Sequence, residues 1–200
     1  MELNLPTYLT LLRIALIPVL VGVFYLPYDN MHIASALIFM VAGFTDWLDG
    51  YLARKLKLTT RFGAFLDPVA DKLMVAASLV LIVQADHSTL VAIASVVIIG
   101  REITIASLRE WMAEIGERKK VAVSALGKWK TMAQMLSITL LLFSLDLKIE
   151  NLILTGQVLL FASAILTLWS MILYLKAAMP AFSRRERRRT PRGKLLTSRK

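Results

Sequence analysis

The fold class that the sequence predicts is an all-α integral membrane protein, six transmembrane helices around a polar cavity that opens to the cytosol. Three observations predict it. Hydrophobic residues make up 57% of the 200-residue chain and the mean hydropathy is +0.63, more than a soluble domain carries. A span needs about 20 predominantly apolar residues, and six such stretches follow one another. Basic residues collect in alternate connections between those stretches.

The first span covers residues 8–26, with Pro18 inside it able to bend it. It follows Met1-Glu2-Leu3-Asn4-Leu5-Pro6, which has no basic leader and no small-residue cleavage site after it, and so does not read as a removable signal peptide. The second and third spans cover 31–54 and 63–85 and carry charges at the ends that face their shared connection. The fourth covers 88–112 and ends in charge too, the fifth 125–146 and the sixth 151–178. Pro6, Pro27 and Pro180 read as flanking spans, and Gly116 and Gly127 as bracketing a basic loop. Residues 1–180 thus form one six-helix membrane domain, and 181–200 a flexible basic tail with nine Lys or Arg against the single Glu186. The tail has no aromatic interleaving, which excludes nucleic acid and leaves anionic membrane lipids or topology signalling. The absence of cysteine excludes disulfides and thiolate metal sites.

Loop charge sets the orientation. Lys55, Lys57 and Arg61, then Arg118, Lys119 and Lys120, then the tail, all fall on one side, while the opposite connections contain only Lys148. By the positive-inside rule both termini are cytoplasmic. Asp46 then lies fifteen residues into the second helix, about 22 Å at 1.5 Å per residue, in the inner third of a core about 30 Å thick.

That inner third holds four aspartates in a fixed frame. Asp46, Asp49 and Ala53 share one helical face, and Gly63, Asp67 and Asp71, spaced by four, share another. Two antiparallel helices joined by the Lys55–Phe62 connection bring the faces together. Helix capping accounts for single aspartates but not for four in register. Four close anions need cations, and oxygen-only ligands suit hard divalent ions such as Mg²⁺ or Mn²⁺. Gly50, Ala53 and Gly63 leave room for a bulky ligand, and Arg54 is placed to meet phosphate. Together these residues describe a metal-assisted pyrophosphate site.

Asp46-x2-Asp49-Gly50-x2-Ala53-Arg54-x8-Gly63-x3-Asp67-x3-Asp71 resembles the complete signature of the CDP-alcohol phosphotransferase family. The resemblance implies a six-helix membrane fold, often dimeric, in which the first three aspartates bind metals, two ions in all, that bridge the CDP pyrophosphate, and Asp71 is the general base. It extends over residues 1–178, through Asn4 to Arg13, Thr45 to Gly50, Arg61 to Lys72, Arg101-Glu102, Leu108 to Trp111 and Leu126 to Thr131. These segments look like the bacterial phosphatidylglycerophosphate synthases within the family. That likeness implies an enzyme of the bacterial inner membrane that transfers phosphatidyl from CDP-diacylglycerol to sn-glycerol 3-phosphate and releases CMP.

In this reading Asp46, Asp49, Asp67 and Asp71 hold the metals and Asp71 also accepts the proton of the glycerol hydroxyl. The CDP-lipid meets Asp46, Asp49, Gly50, Ala53, Arg54, Gly63 and Asp67, with Thr10 and Arg13 approaching from the first helix. The acceptor phosphate falls to Arg109 and Lys128, with Arg101 and Lys130 equally open to pairing with a membrane acid or snorkelling. His32 and His87 sit at outer loops, and Trp47, Trp111 and Trp129 at the inner boundary read as anchors. Without a cysteine or a His-centred dyad, no covalent intermediate is expected. A cardiolipin synthase-like enzyme or an inositol-phosphate transferase is the alternative acceptor class. A cation transporter is the alternative of another kind, disfavoured because the outer halves of the second and third spans are apolar.

Overall fold

A computed structural model describes residues 4–56, 60–116 and 125–189; within these, the side chains of Arg54, Arg61, 125–129 and 181–189 lie outside the described residues. Six helices follow in order: α1 (Leu5–Phe24), α2 (Met31–Leu56), α3 (Arg61–Asp86), α4 (Thr89–Glu114), α5 (Ala125–Leu147) and α6 (Glu150–Arg189). Five segments are long and apolar enough to cross a membrane: Leu5–Phe24, Met31–Ala53, Thr89–Glu114, Lys130–Leu147 and Glu150–Pro180. The remaining helix, α3, is as long as its neighbours and carries Asp67, Asp71 and Lys72 in its first half. The six-helix, all-α expectation holds, and the chain is a multi-pass membrane protein.

Helix ends follow local chemistry. Asn4 caps α1, its side chain accepting from the Thr7 amide at 3.3 Å and the Thr7 hydroxyl at 2.7 Å. Pro6 therefore lies inside the first turn, where a missing N–H costs nothing, rather than outside the span. Thr60 caps α3 through the Gly63 amide at 3.0 Å, and Ser88 caps α4 through Val91. Gly116, at φ +77°, ends α4 in the left-handed region that favours glycine. Gly127 falls inside α5 rather than before it. Pro180 is likewise inside a helix, because α6 runs on to Arg189 through Ala, Met and Arg, which favour helix. The first part of the basic segment thus continues α6, and residues 190–200 lie outside the described residues.

The half of the bundle away from the aspartates is solidly packed. Leu20, Phe39, Leu79, Ile82, Val91, Ile98, Leu142 and Leu160 are fully buried in one cluster drawn from all six helices. At the α5–α6 crossing a Cβ on Gly156 would meet Leu141 at 2.9 Å, so the small residue permits the approach. Buried serines such as Ser78 and Ser163 donate to carbonyls of their own helices, which satisfies them without a polar partner. The half that holds the aspartates differs. Among the described residues a small cluster of Ile105, Leu108, Met112 and Ala178 packs there, and cavities open between the helices.

One expectation about assembly is corrected. α2 and α3 do not bring their acidic faces together by packing on each other; α1 packs against both, and they touch only narrowly. Carboxylate faces repel, and a helix that supplies a cation between them removes the repulsion.

Candidate active site

That cation is Arg13. It is 1% exposed and reaches four carboxylates. Nη2 donates to Asp49 Oδ2 at 2.5 Å, and Nη1 lies 3.0 Å from Asp46 Oδ1, 3.4 Å from Asp67 Oδ1 and in direct contact with Asp71 Oδ1. Asp49 is buried at 3% exposure, whereas the other three are roughly half-buried. The four aspartates expected to converge do so. Arg13 was expected beside the nucleotide phosphates; its guanidinium instead sits among the carboxylates.

One guanidinium cannot balance four carboxylates in a poorly solvated setting, so the cluster favours further positive charge. Asp46, Asp49 and Asp67 offer oxygens that all lie within 4.8 Å of one another. An all-oxygen donor set of this kind fits a hard divalent cation. Asp71 is held to the same centre through Arg13 but is outside that trio, which separates it from the other three in position.

Three cavities surround the cluster. The largest, about 320 Å³, is lined by Asp49, Gly50, Ala53, Gly63, Asp67 and Thr10, among others, so the small residues of the frame do border open space. Thr10, also in this wall, donates to the Pro6 carbonyl at 3.2 Å. Gly63 has a second constraint that the sequence does not reveal. A Cβ there would meet Thr7 Oγ1 and Thr60 Oγ1, each at 3.0 Å, and those two hydroxyls bond each other at 3.1 Å across α1 and α3.

The second cavity, about 190 Å³, is lined by Lys72, Arg101, Glu102, Arg109, Lys130 and Thr131, with Ile105, Ala106 and Tyr174. Three of the four basic residues expected to meet the acceptor phosphate therefore share one wall. Lys128 lies on α5 with its side chain outside the described residues, as does Arg54 on α2. Arg101 and Lys130 do pair with a membrane acid: both donate to Glu102 Oε1, each at 2.7 Å. Lys72 and Glu102 were not singled out beforehand. Lys72 adjoins Asp71, and Glu102 adjoins Arg101 with Lys130 on another helix, so only the fold reveals that they face one space.

The third cavity, about 170 Å³, contains Arg13, Asp46 and Asp71 at one end and Phe39, Ala42, Met74, Val75 and Met135 beyond them. Thr131 lines both this cavity and the basic one, and Asp71, which lines the third cavity, is followed in sequence by Lys72, which lines the second.

Away from the cluster, Trp47 is 61% exposed and stacks on Tyr51, as an anchor does. Trp129 lies outside the described side chains. His87 caps the C-terminal end of α3. His32 has a partner that the sequence does not suggest: its Nδ1 lies 2.5 Å from Asp146 Oδ1, and the other carboxylate oxygen accepts the Ile33 amide at 2.9 Å. Asp146 thereby satisfies the start of α2 from the end of α5.

Similarity to known proteins agrees with this geometry. The family model for CDP-alcohol phosphatidyltransferase matches residues 3–173. A Haemophilus influenzae protein named CDP-diacylglycerol–glycerol-3-phosphate 3-phosphatidyltransferase is 56% identical over 178 residues, covering 89% of this chain and 95% of that protein. Proteins of the same name from Yersinia pestis (strain Pestoides F), 56% identical, and Salmonella choleraesuis, 53% identical, align over the same 89% of this chain and 96% of their own lengths. The family match spans the whole acidic frame and every cavity residue named above except Tyr174, and the chain belongs to the CDP-alcohol phosphatidyltransferase family.

Proposed function

We propose that the protein transfers the phosphatidyl group of CDP-diacylglycerol to sn-glycerol 3-phosphate, giving phosphatidylglycerophosphate and CMP. The observation that carries this reading is that Thr131 lines both the cavity that holds Asp46 and Asp71 and the basic cavity. A phosphorylated alcohol seated on Lys72, Arg101, Arg109 and Lys130 would extend its hydroxyl past Thr131 toward Asp71. The names of the relatives support the same substrates.

The donor's nucleotide occupies the 320 Å³ cavity, where Gly50, Ala53 and Gly63 admit its bulk and Thr10 forms part of the wall. Arg54 flanks the pyrophosphate from the end of α2. Asp46, Asp49 and Asp67, with one oxygen of Asp71, would hold two divalent ions, Mg²⁺ or Mn²⁺, which supply charge neutralisation to the pyrophosphate and the leaving group. Arg13 orients the four carboxylates and pairs with Asp49 in its buried position. Asp71 takes the proton of the acceptor hydroxyl as its oxygen bonds to the phosphorus that carries diacylglycerol. The bond from that phosphorus to CMP breaks, and its electron pair leaves with CMP. Asp71 then returns its proton to water at the cytosolic mouth. The diacylglycerol end of the donor lies toward the apolar walls of Phe39, Met74 and Met135.

Lys128 completes the acceptor pocket from the start of α5. We also infer a homodimer in the bacterial inner membrane, with both termini and the site on the cytosolic side and the basic C-terminal segment against anionic lipid. CMP release from CDP-diacylglycerol, measured with glycerol 3-phosphate, phosphatidylglycerol and inositol phosphate in turn, tests the assignment. Glycerol 3-phosphate is the competent acceptor in this reading, and turnover with either alternative alone overturns it.

A further inference from the structure

We propose that Glu102 is the positioning residue of the acceptor pocket, a carboxylate that locks Arg101 and Lys130 into a fixed phosphate-binding floor. The inference rests on the reading of the basic cavity as the acceptor site. Glu102 stands on α4 with its side chain 25% exposed, and a single oxygen, Oε1, accepts from Arg101 Nη1 and from Lys130 Nζ. The two cations come from different helices, α4 and α5. Both are themselves buried, Arg101 at 9% and Lys130 at 4% exposure, where like charges repel strongly without an anion between them.

Arg101 is fastened a second time, Nη2 donating to Ser170 Oγ of α6 at 2.8 Å, and Ser170 in turn bonds the Thr167 carbonyl. Its Nε is buried with no hydrogen-bond partner among the described residues. The cation is therefore immobilised with its Nε–H unpaired. A free lysine side chain loses rotamer entropy when it is fixed. Glu102 fixes Lys130 before any ligand arrives, so phosphate binding does not bear that cost. Lys72 and Arg109 line the same cavity and have no ion pair among the described residues. The pocket thus combines two locked cations with two that can close on the phosphate. Glu102 touches no reacting atom and acts through its two partners.

The test is steady-state CMP release by the full chain in detergent, varying each substrate separately. Glu102→Gln is expected to raise the KM for glycerol 3-phosphate about tenfold, the loss expected for a hydrogen bond to a charged group. The KM for CDP-diacylglycerol stays within about twofold, a split that general loss of packing between α4 and α5 would not produce. The inhibition constant of inorganic phosphate against the acceptor rises in parallel. Glu102→Asp recovers part of the loss, and it is read in the same way if Glu102→Gln does not fold. Lys130→Met weakens the acceptor too, and adding Glu102→Gln to it increases the loss by less than the product of the single effects. An acceptor KM that is unchanged or lowered in Glu102→Gln, or two KM values that rise together, overturns the positioning role. Wild-type protein that releases no CMP with glycerol 3-phosphate overturns the acceptor reading itself, and the positioning role with it.

Discussion

Replacing Arg13 with methionine tests how the acidic cluster is held. The side chain keeps its length and apolar stem but loses its charge. The Arg13–Asp49 pair is buried on both sides, at 1% and 3% exposure, and removing one partner of such a pair costs about 3–5 kcal/mol. Asp46, Asp67 and Asp71 are 41% to 45% exposed, so solvent screens their share to about 0–1 kcal/mol each. The buried pair dominates. For a chain of this size 1 kcal/mol moves Tm by about 2–4 °C, so the variant should melt roughly 6–20 °C below wild type in chelator. The variant also has four carboxylates that have lost the cation they share in the wild type. Millimolar Mg²⁺ should therefore raise its Tm by more than it raises the wild-type value, since an ion that binds only the folded state stabilises it. Thermal unfolding in detergent with chelator or Mg²⁺ reads both effects. A Tm within about 2 °C of wild type in chelator, or equal responses to Mg²⁺, would refute the view that Arg13 holds α1, α2 and α3 together through their charges.

Other consequences follow from the same geometry. Asp71→Asn should abolish turnover while retaining CDP-lipid binding, whereas Asp46→Asn and Asp67→Asn should also weaken Mn²⁺-dependent binding; equal binding losses in all three would remove the separate role of Asp71. Gly63→Val should raise the KM for CDP-diacylglycerol about tenfold, because its Cβ alone reaches 3.0 Å from Thr7 and Thr60 and its methyls enter the cavity. A normal KM there would show that the cavity is not the donor site. At the opposite end of the bundle, Asp146→Ala should lower stability by about 0.5–2 kcal/mol through the lost bonds to His32 and the Ile33 amide, with both KM values unchanged. A shifted KM would link the outer end of α2 to the site.

Much of this arrangement is legible in the sequence. Hydropathy alone locates five of the six helices because a bilayer imposes length and composition on a span, α3 being a stretch of span length whose charges lower its hydropathy. The spacing of Asp46, Asp49, Asp67 and Asp71 announces convergence because helical period determines facing. The helix that joins them is less visible. Nothing in the surroundings of Arg13, an apolar stretch with one cation, says that it reaches α2 and α3 rather than the head groups. Glu102 shows the same limit, since its pairing with Lys130 spans 28 positions and two helices. His32 and Asp146 lie 114 positions apart. Proline misleads when read as punctuation: Pro6 and Pro180 both lie inside helices, one in a first turn that needs no N–H and the other in a run of strong helix formers.

The central claim is that the acidic frame and the basic cavity act together on a CDP-linked lipid and a phosphorylated alcohol. CMP release from CDP-diacylglycerol by the purified protein, with and without glycerol 3-phosphate and with and without chelator, addresses it most directly. The account predicts release that requires both glycerol 3-phosphate and a divalent ion. Release that persists in chelator, or that proceeds only with phosphatidylglycerol as acceptor, would contradict it.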